Sequence, residues 1–407
     1  MSTAINPLSA HPLPGGRRHD LDWLRIIAFA VLIFYHIGMF FVTWGWHVKS
    51  PSANAGPELV MALTSPWRLA LLFFISGVAL RFLSDKLGAG AFARERVVRL
   101  IPVILFGVFV VVPPQTFFEL RQDGALGPDP LAFYAQYAVP SVMHGVITPT
   151  WNHLWYVVYL LVYSLILAPF IPALRRFADG PAGAAVGRLW TGSAGALALL
   201  LLVPLPFIAY GVLLDPVFPT THALVDDWAN HAHRFTILMV GYFAAKSAAF
   251  WTGVRRAWPL AAAYAGGFVL LSAALAGLGW PDFGAAASAI YDLLTVIYAW
   301  SVILALLGLA QRFLNRDGPA RRYLTEAIFP FYILHQTITV AAGYYIAQAG
   351  WDVWSEFAAL TAITIAGCFL GFEIIRRVAV LRPLFGLKAA GTASRPRRLA
   401  DARGLGS

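Results

Sequence analysis

Cysteine is almost absent. In 407 residues there is one, Cys368, inside an apolar run, so no disulfide can form within the chain. Charge is scarce as well. Only 12% of residues are charged, about half of the ~25% usual in soluble globular domains. Acidic residues are the scarcer kind, 20 against 30 Lys and Arg, which leaves a net charge of +10. There is no P-loop, no dinucleotide fingerprint and no internal repeat, and no polar stretch is long enough for a soluble domain. What the chain has in quantity is apolar surface. It is 59% hydrophobic, with a mean hydropathy of +0.68. Fourteen Trp and fifteen Tyr fit the two aromatic belts of a membrane protein.

The apolar residues fall into ten segments of helical length: 23–46, 66–84, 97–118, 151–174, 189–214, 229–250, 257–279, 285–311, 323–349 and 354–380. Each holds about twenty or more residues, enough to cross the hydrocarbon of a bilayer. The expected fold is all-α, a polytopic membrane protein with about ten transmembrane helices spanning residues 18–388. Residues 1–17 form a polar, Pro- and Gly-containing arm, and residues 389–407 a basic tail suited to anionic lipid; both are expected to be disordered. The first span is too long for a signal peptide, and bulky Met39, Phe40 and Phe41 follow it, so it is expected to stay uncleaved. With both termini cytoplasmic, 26 of the 30 basic residues fall inside; the other four are Lys49, Arg68, Arg121 and Arg234. The net positive charge then follows from topology and does not require nucleic acid as a partner.

Arg25 and His36 stand on the first span with ten residues between them. Eleven steps are close to three helical turns, so the two side chains share a face, about 16 Å apart along the axis. Arg25 then sits at one surface, and His36 lies about half a bilayer deep. An ionisable group at that depth is a candidate functional residue, although a neutral His bonded to a neighbouring helix is the plain alternative. His335, twelve residues into the ninth segment, lies at a similar depth. The remaining histidines, His153 among them, fall near the surfaces. No acidic or thiol ligand accompanies the deep pair, so no metal site is expected. Arg94, Arg96 and Arg99 open the third span on the cytoplasmic side. Beyond marking topology, Arg96 and Arg99 share a face beside an expected helix N-terminus and suit phosphate. Together with Arg25 they suggest a cytoplasmic polyphosphate pocket. A charged head inside and a reactive tip half a bilayer away are the shape of acyl-coenzyme A.

The sequence resembles the acyltransferase-3 family of integral-membrane acyltransferases. The likeness is carried by Leu21-Asp22-Trp23-Leu24-Arg25, the Arg25-to-His36 spacing, Leu72-Phe73-Phe74-Ile75-Ser76-Gly77, and Arg94-Glu95-Arg96-Val97-Val98-Arg99-Leu100-Ile101-Pro102. Asn152-His153-Leu154-Trp155-Tyr156 and Phe331-Tyr332-Ile333-Leu334-His335-Gln336 add to it. Trp44-Gly45-Trp46-His47, Trp67-Arg68 and Pro383-Leu384-Phe385 resemble the glucan-biosynthesis branch, which decorates periplasmic glucans. Many relatives carry an acidic residue near Trp155, where this chain has Tyr156, Tyr159 and Tyr163.

The resemblance implies a membrane-embedded O-acyltransferase of the bacterial inner membrane. It would move an acyl group, succinyl or acetyl, from a cytoplasmic acyl-CoA to a hydroxyl of an extracytoplasmic glycan. His36 would be general base or nucleophile, with His335 as a second catalytic candidate. Arg25, Arg94, Arg96 and Arg99 would bind the donor. His153 and Trp155 are candidates for the acceptor entrance. Arg68 and Arg234 are expected either to pair with a carboxylate such as Asp226 or Asp227 or with a lipid phosphate, or, for one of them, to meet the acyl group's own carboxylate. The implied partners are acyl-CoA, the glycan, the bilayer and other proteins of envelope-glycan biosynthesis, with no resident cofactor. The rival reading is a transporter or flippase of an anionic or lipid-linked sugar that uses His36 and His335 as a proton relay; the chain shows no paired repeats with broken helices to support it.

Overall fold

The computed structural model describes residues 18–389, so the expected arm and most of the tail lie outside the described residues. The chain is helical, as its hydropathy requires. Helix α1 covers His19–Met39, α2 Glu58–Lys86 and α3 Ala89–Phe106. A π-turn, Gly107–Val111, leads into α4, Pro113–Gln122. Next come α5, Pro130–Tyr137, and a small antiparallel hairpin of β1, Ser141–Met143, and β2, Val146–Thr148. A 3₁₀ turn, Asn152–Leu154, opens α6, Trp155–Leu167. The shorter helices α7 Ile171–Asp179, α8 Pro181–Thr191, α9 Gly195–Leu202 and α10 Leu205–Leu213 follow. The chain ends in α11 Trp228–Ala244, α12 Ala248–Gly277, α13 Ala285–Phe313, α14 Pro319–Ile346, α15 Val353–Arg377 and α16 Leu381–Leu384.

Among the described residues eight helical stretches are long and apolar enough to cross a membrane. The expected ten differ by two, because α11 is too short and α14 too polar. Helix α11 has seventeen residues and carries Asn230, His231, His233 and Arg234 in its first half. Helix α14 carries His335, Gln336, Thr337 and Thr339 in its middle. The fifth expected span is α9 and α10 joined at Pro204, whose ring cannot continue the hydrogen-bond ladder. The π-turn has the same cause: Pro113 and Pro114 follow it, and the helix widens where their missing N–H groups would have bonded.

The described chain forms two compact units. Of the described residues, the first comprises those up to 38, 55–89 and 169–325. Its tightest contact joins α2 to α11. A Cβ on Gly77 would fall 1.9 Å from the Leu238 carbonyl oxygen, and one on Gly241 would fall 2.0 Å from that of Phe74. Only glycine lets the two backbones approach this closely. Trp300 of α13 donates to the Leu199 carbonyl at 2.8 Å. The start of α14 is fixed by buried Arg321, which pairs with Asp22 and, at 2.7 Å, with Asp317. Hydrogen bonds from Arg322 and Arg321 hold the Asp317 carboxyl well below the usual range.

The second unit comprises residues 39–54, 90–168 and the described residues from 326 onward. Leu120, Phe133, Tyr137 and Met143 close a small apolar core where α4, α5 and the hairpin meet. Gly367 and Gly371 of α15 pack against Ile338 and Leu334 of α14, small residues letting two apolar helices close up. The Thr339 and Thr364 hydroxyls bond across that contact at 3.1 Å.

Candidate active site

In the first unit, α1 presents Arg25 and His36 as the spacing predicts. Arg25 Nη2 donates to the Thr325 carbonyl at 3.0 Å, and both residues are partly buried. Tyr35, beside His36, is covered by a cation. The Arg68 guanidinium carbon lies 3.2 Å from the Tyr35 ring centroid. Arg68 is only 6% exposed, and its Nε and Nη1 have no hydrogen-bond partner among the described residues. The expected carboxylate partner is therefore not what holds it. Asp227 instead accepts from the Thr221 backbone N–H at 2.9 Å and from the Asn230 amide at 2.8 Å. Arg234 Nε donates to Asn230 Oδ1 at 2.9 Å. Both arginines bear on His222, in the loop before α11. Burial holds that imidazole below its usual range, the two cations push it the same way, and Asp227 opposes them.

In the second unit the donor-site arginines separate. Helix α3 begins at Ala89, so Arg96 and Arg99 stand in its second and third turns and gain nothing from the helix terminus, contrary to the expectation from sequence. Arg96 is buried at 7% exposure, and its Nε has no hydrogen-bond partner among the described residues. Arg94 and Arg99 are exposed. Glu95 lies between the last two, 3.7 Å from Arg96 and 3.6 Å from Arg99.

His153 lies in the 3₁₀ turn and Trp155 opens α6; both are buried, at 6% exposure. The His153 ring stands edge-on to His335, with centroids 5.3 Å apart. Trp155 packs edge-on against Tyr159. His335 donates from Nδ1 to the Tyr332 carbonyl of its own helix at 2.7 Å.

Sequence reasoning missed the polar chain that surrounds this pair. His153 Nε2 donates to the Ile333 carbonyl at 3.2 Å, which leaves Nδ1 to accept from the Gln115 amide at 3.4 Å. The same amide donates to Thr337 Oγ1 at 2.7 Å. Gln115 Oε1 accepts from Asn152 and from Gln336, each at 3.0 Å. Gln336 also donates to His47 Nε2 at 2.9 Å, and His47 Nδ1 donates to Glu119 at 2.5 Å. A carboxylate, an imidazole, two carboxamides and a second imidazole thus form one connected, satisfied network. The signal available in the sequence was weak: single Gln residues, Gln115 and Gln336, inside apolar runs. Among the described residues no three His, Cys, Asp or Glu side chains gather as a metal would need.

The acyltransferase-3 profile, described as an acyltransferase domain, matches residues 18–373. Three similar proteins are each named glucans biosynthesis protein C, from Escherichia coli K12 (DH10B), O157:H7 (EC4115) and O139:H28 (E24377A). Each is 21% identical over 395 residues, covering 93% of this chain and 96% of the relative. No solved structure matches the chain.

Proposed function

Because the chain belongs to the acyltransferase-3 family and is a multi-pass membrane acyltransferase, we propose that it acylates a hydroxyl of an extracytoplasmic glycan from a cytoplasmic acyl-CoA. The carrying observation is α1 itself, with Arg25 and His36 on one face and the buried Arg68 guanidinium stacked on Tyr35 next to His36. The charge distribution supports ten spans in the bacterial inner membrane, with both termini cytoplasmic. The names of the relatives support a glucan as acceptor.

His36 takes the acceptor's hydroxyl proton as general base, or attacks the thioester as nucleophile and passes the acyl group on. In either route coenzyme A leaves as a thiol. Arg25, Arg94, Arg96 and Arg99 are each a proposed ligand for the donor's phosphates, to which guanidinium binds in fork geometry. His335 is a supporting acid–base candidate. With Nδ1 given to a backbone carbonyl, any chemistry there runs through Nε2. His153, edge-on to His335, and Trp155 remain candidates for the acceptor side.

The test is reconstituted protein given acyl-CoA and glucan oligosaccharide, followed by mass spectrometry. Acyl-CoA consumption with a matching mass gain on the glycan is expected. Movement of sugar across the bilayer without acyl-CoA consumption would instead establish the transporter.

A further inference from the structure

Within the first unit a cavity of about 270 Å³ is lined by residues of α2, α10, α11 and α13 and of the loop between α10 and α11. Its volume is close to the lower end of small-molecule sites, ~300 Å³. Its polar lining residues include Asp215, Asn230, His233 and Arg234, and Phe207 and Trp300 also line it. His233 Nε2 donates to Asp215 at 3.0 Å, and the imidazole stacks on Phe207 with ring centroids 5.9 Å apart. Trp300 is held by its bond to the Leu199 carbonyl. The Asp215 carboxylate and the Arg234 guanidinium balance each other in charge.

We infer that this cavity is a subsite for one neutral sugar ring of the acceptor, separate from the ring that is acylated. The inference rests on the proposed transfer to a glycan. Three features carry it. The cavity offers strong acceptors and strong donors together, as a polyol needs, and no excess charge to recruit an anion. Phe207 and Trp300 add apolar ring surface to its lining. Its position also matters: Pro66 and Ala70 line the cavity, and Arg68, between them on α2, turns the other way and stacks on Tyr35 beside His36. Two residues along a helix are a turn of about 200°. The cavity and Tyr35 therefore lie on opposite faces of α2, about one helix diameter apart, ~10 Å. A ring held in the cavity is thus a neighbouring unit of the chain whose reactive hydroxyl is presented elsewhere. Remote binding of this kind aids the reacting end by positioning it.

The test compares a glucose oligomer with a single methyl glucoside as acceptor, for the full-length protein, Ala299→Leu, which fills the cavity, and Asp215→Asn, which keeps its shape. The wild type is expected to favour the oligomer in kcat/KM. Each variant is expected to lower the oligomer-to-glucoside ratio by about tenfold, roughly the loss of one charge-assisted bond. An unchanged ratio in both variants overturns the subsite. If the wild type acylates neither saccharide, the transfer reading itself fails, and calorimetric binding of the oligomer decides the subsite alone. Binding to wild type that is lost in Ala299→Leu supports the subsite; equal binding, or none to wild type, overturns it.

Discussion

The guanidinium of Arg68 lies 3.2 Å from the centre of the Tyr35 ring, and Tyr35 immediately precedes His36. A buried arginine with no carboxylate partner among the described residues is thus stacked one residue from the proposed reacting imidazole. Stacking on a ring meets part of its need, but hydrogen-bonding capacity at Nε and Nη1 remains. A dicarboxylic acyl group on its way through His36 would bring a carboxylate to it. Arg68→Gln is therefore expected to lower succinyl transfer ten- to about a hundredfold more than acetyl transfer, because only succinyl loses a charged contact. Arg234→Gln provides the contrast: as a wall of the proposed sugar subsite it should depress both donors alike. Equal losses for the two donors in Arg68→Gln would give that arginine a structural role.

His36→Ala is expected to abolish transfer, by at least about 10²–10⁴-fold, while insertion survives, since an apolar helix spans without that imidazole. His36→Lys keeps a nitrogen but favours charge at that depth and should be equally inactive. Normal acylation of envelope glycan in cells carrying His36→Ala would falsify the assignment.

The two donor-site arginines should differ. Arg96 is buried, whereas the Arg99 side chain is 52% exposed beside Glu95. Arg96→Ala is expected to weaken coenzyme A binding by about 1.5–3 kcal/mol, and Arg99→Ala by less than about 1 kcal/mol, because water screens an exposed contact. Affinity of folded, detergent-purified variants for coenzyme A measures both. Wild-type affinity in each would reduce the cluster to a topology signal.

Topology is accessible to labelling. On a Cys368→Ser background, a cysteine at Gly127 should react with an impermeant maleimide added to intact cells, and one at Ala320 should not; both positions are exposed. The opposite pattern would invert the orientation, and with it the side from which acyl-CoA enters.

Hydropathy made the helices legible because apolar length is what a bilayer demands. It also placed Arg25 and His36, since both lie on one uninterrupted helix whose geometry is fixed by counting. Counting failed where the helix was not regular. Counting along a helix does not reach His153, which the turn at Asn152–Leu154 brings in beside His335. The start of α3 at Ala89 was missed because Ala89–Phe92 is too short an apolar piece to register as part of a span, and that error credited Arg96 with a helix-end field. The Gln115–Gln336 connection joins positions 221 residues apart, and no local pattern reports such a pair.

That connection can be tested as a unit. Gln115 is fully buried, and its carboxamide bonds to Asn152, Gln336, Thr337 and His153. Replacing it with leucine fills similar space but leaves several partner groups wanting. Gln115→Leu is expected to cost about 2–4 kcal/mol, from the desolvated groups left behind more than from the bonds lost. Gln336→Leu should cost less, since His47, with a 17% exposed side chain, can turn to water. In the double variant the Gln115–Gln336 bond can be lost only once, so the double loss should fall short of the sum by about 1 kcal/mol or more. Thermal unfolding of the three variants in detergent gives the cycle. Strict additivity would mean that the two carboxamides act separately and that no relay links Glu119 to His153.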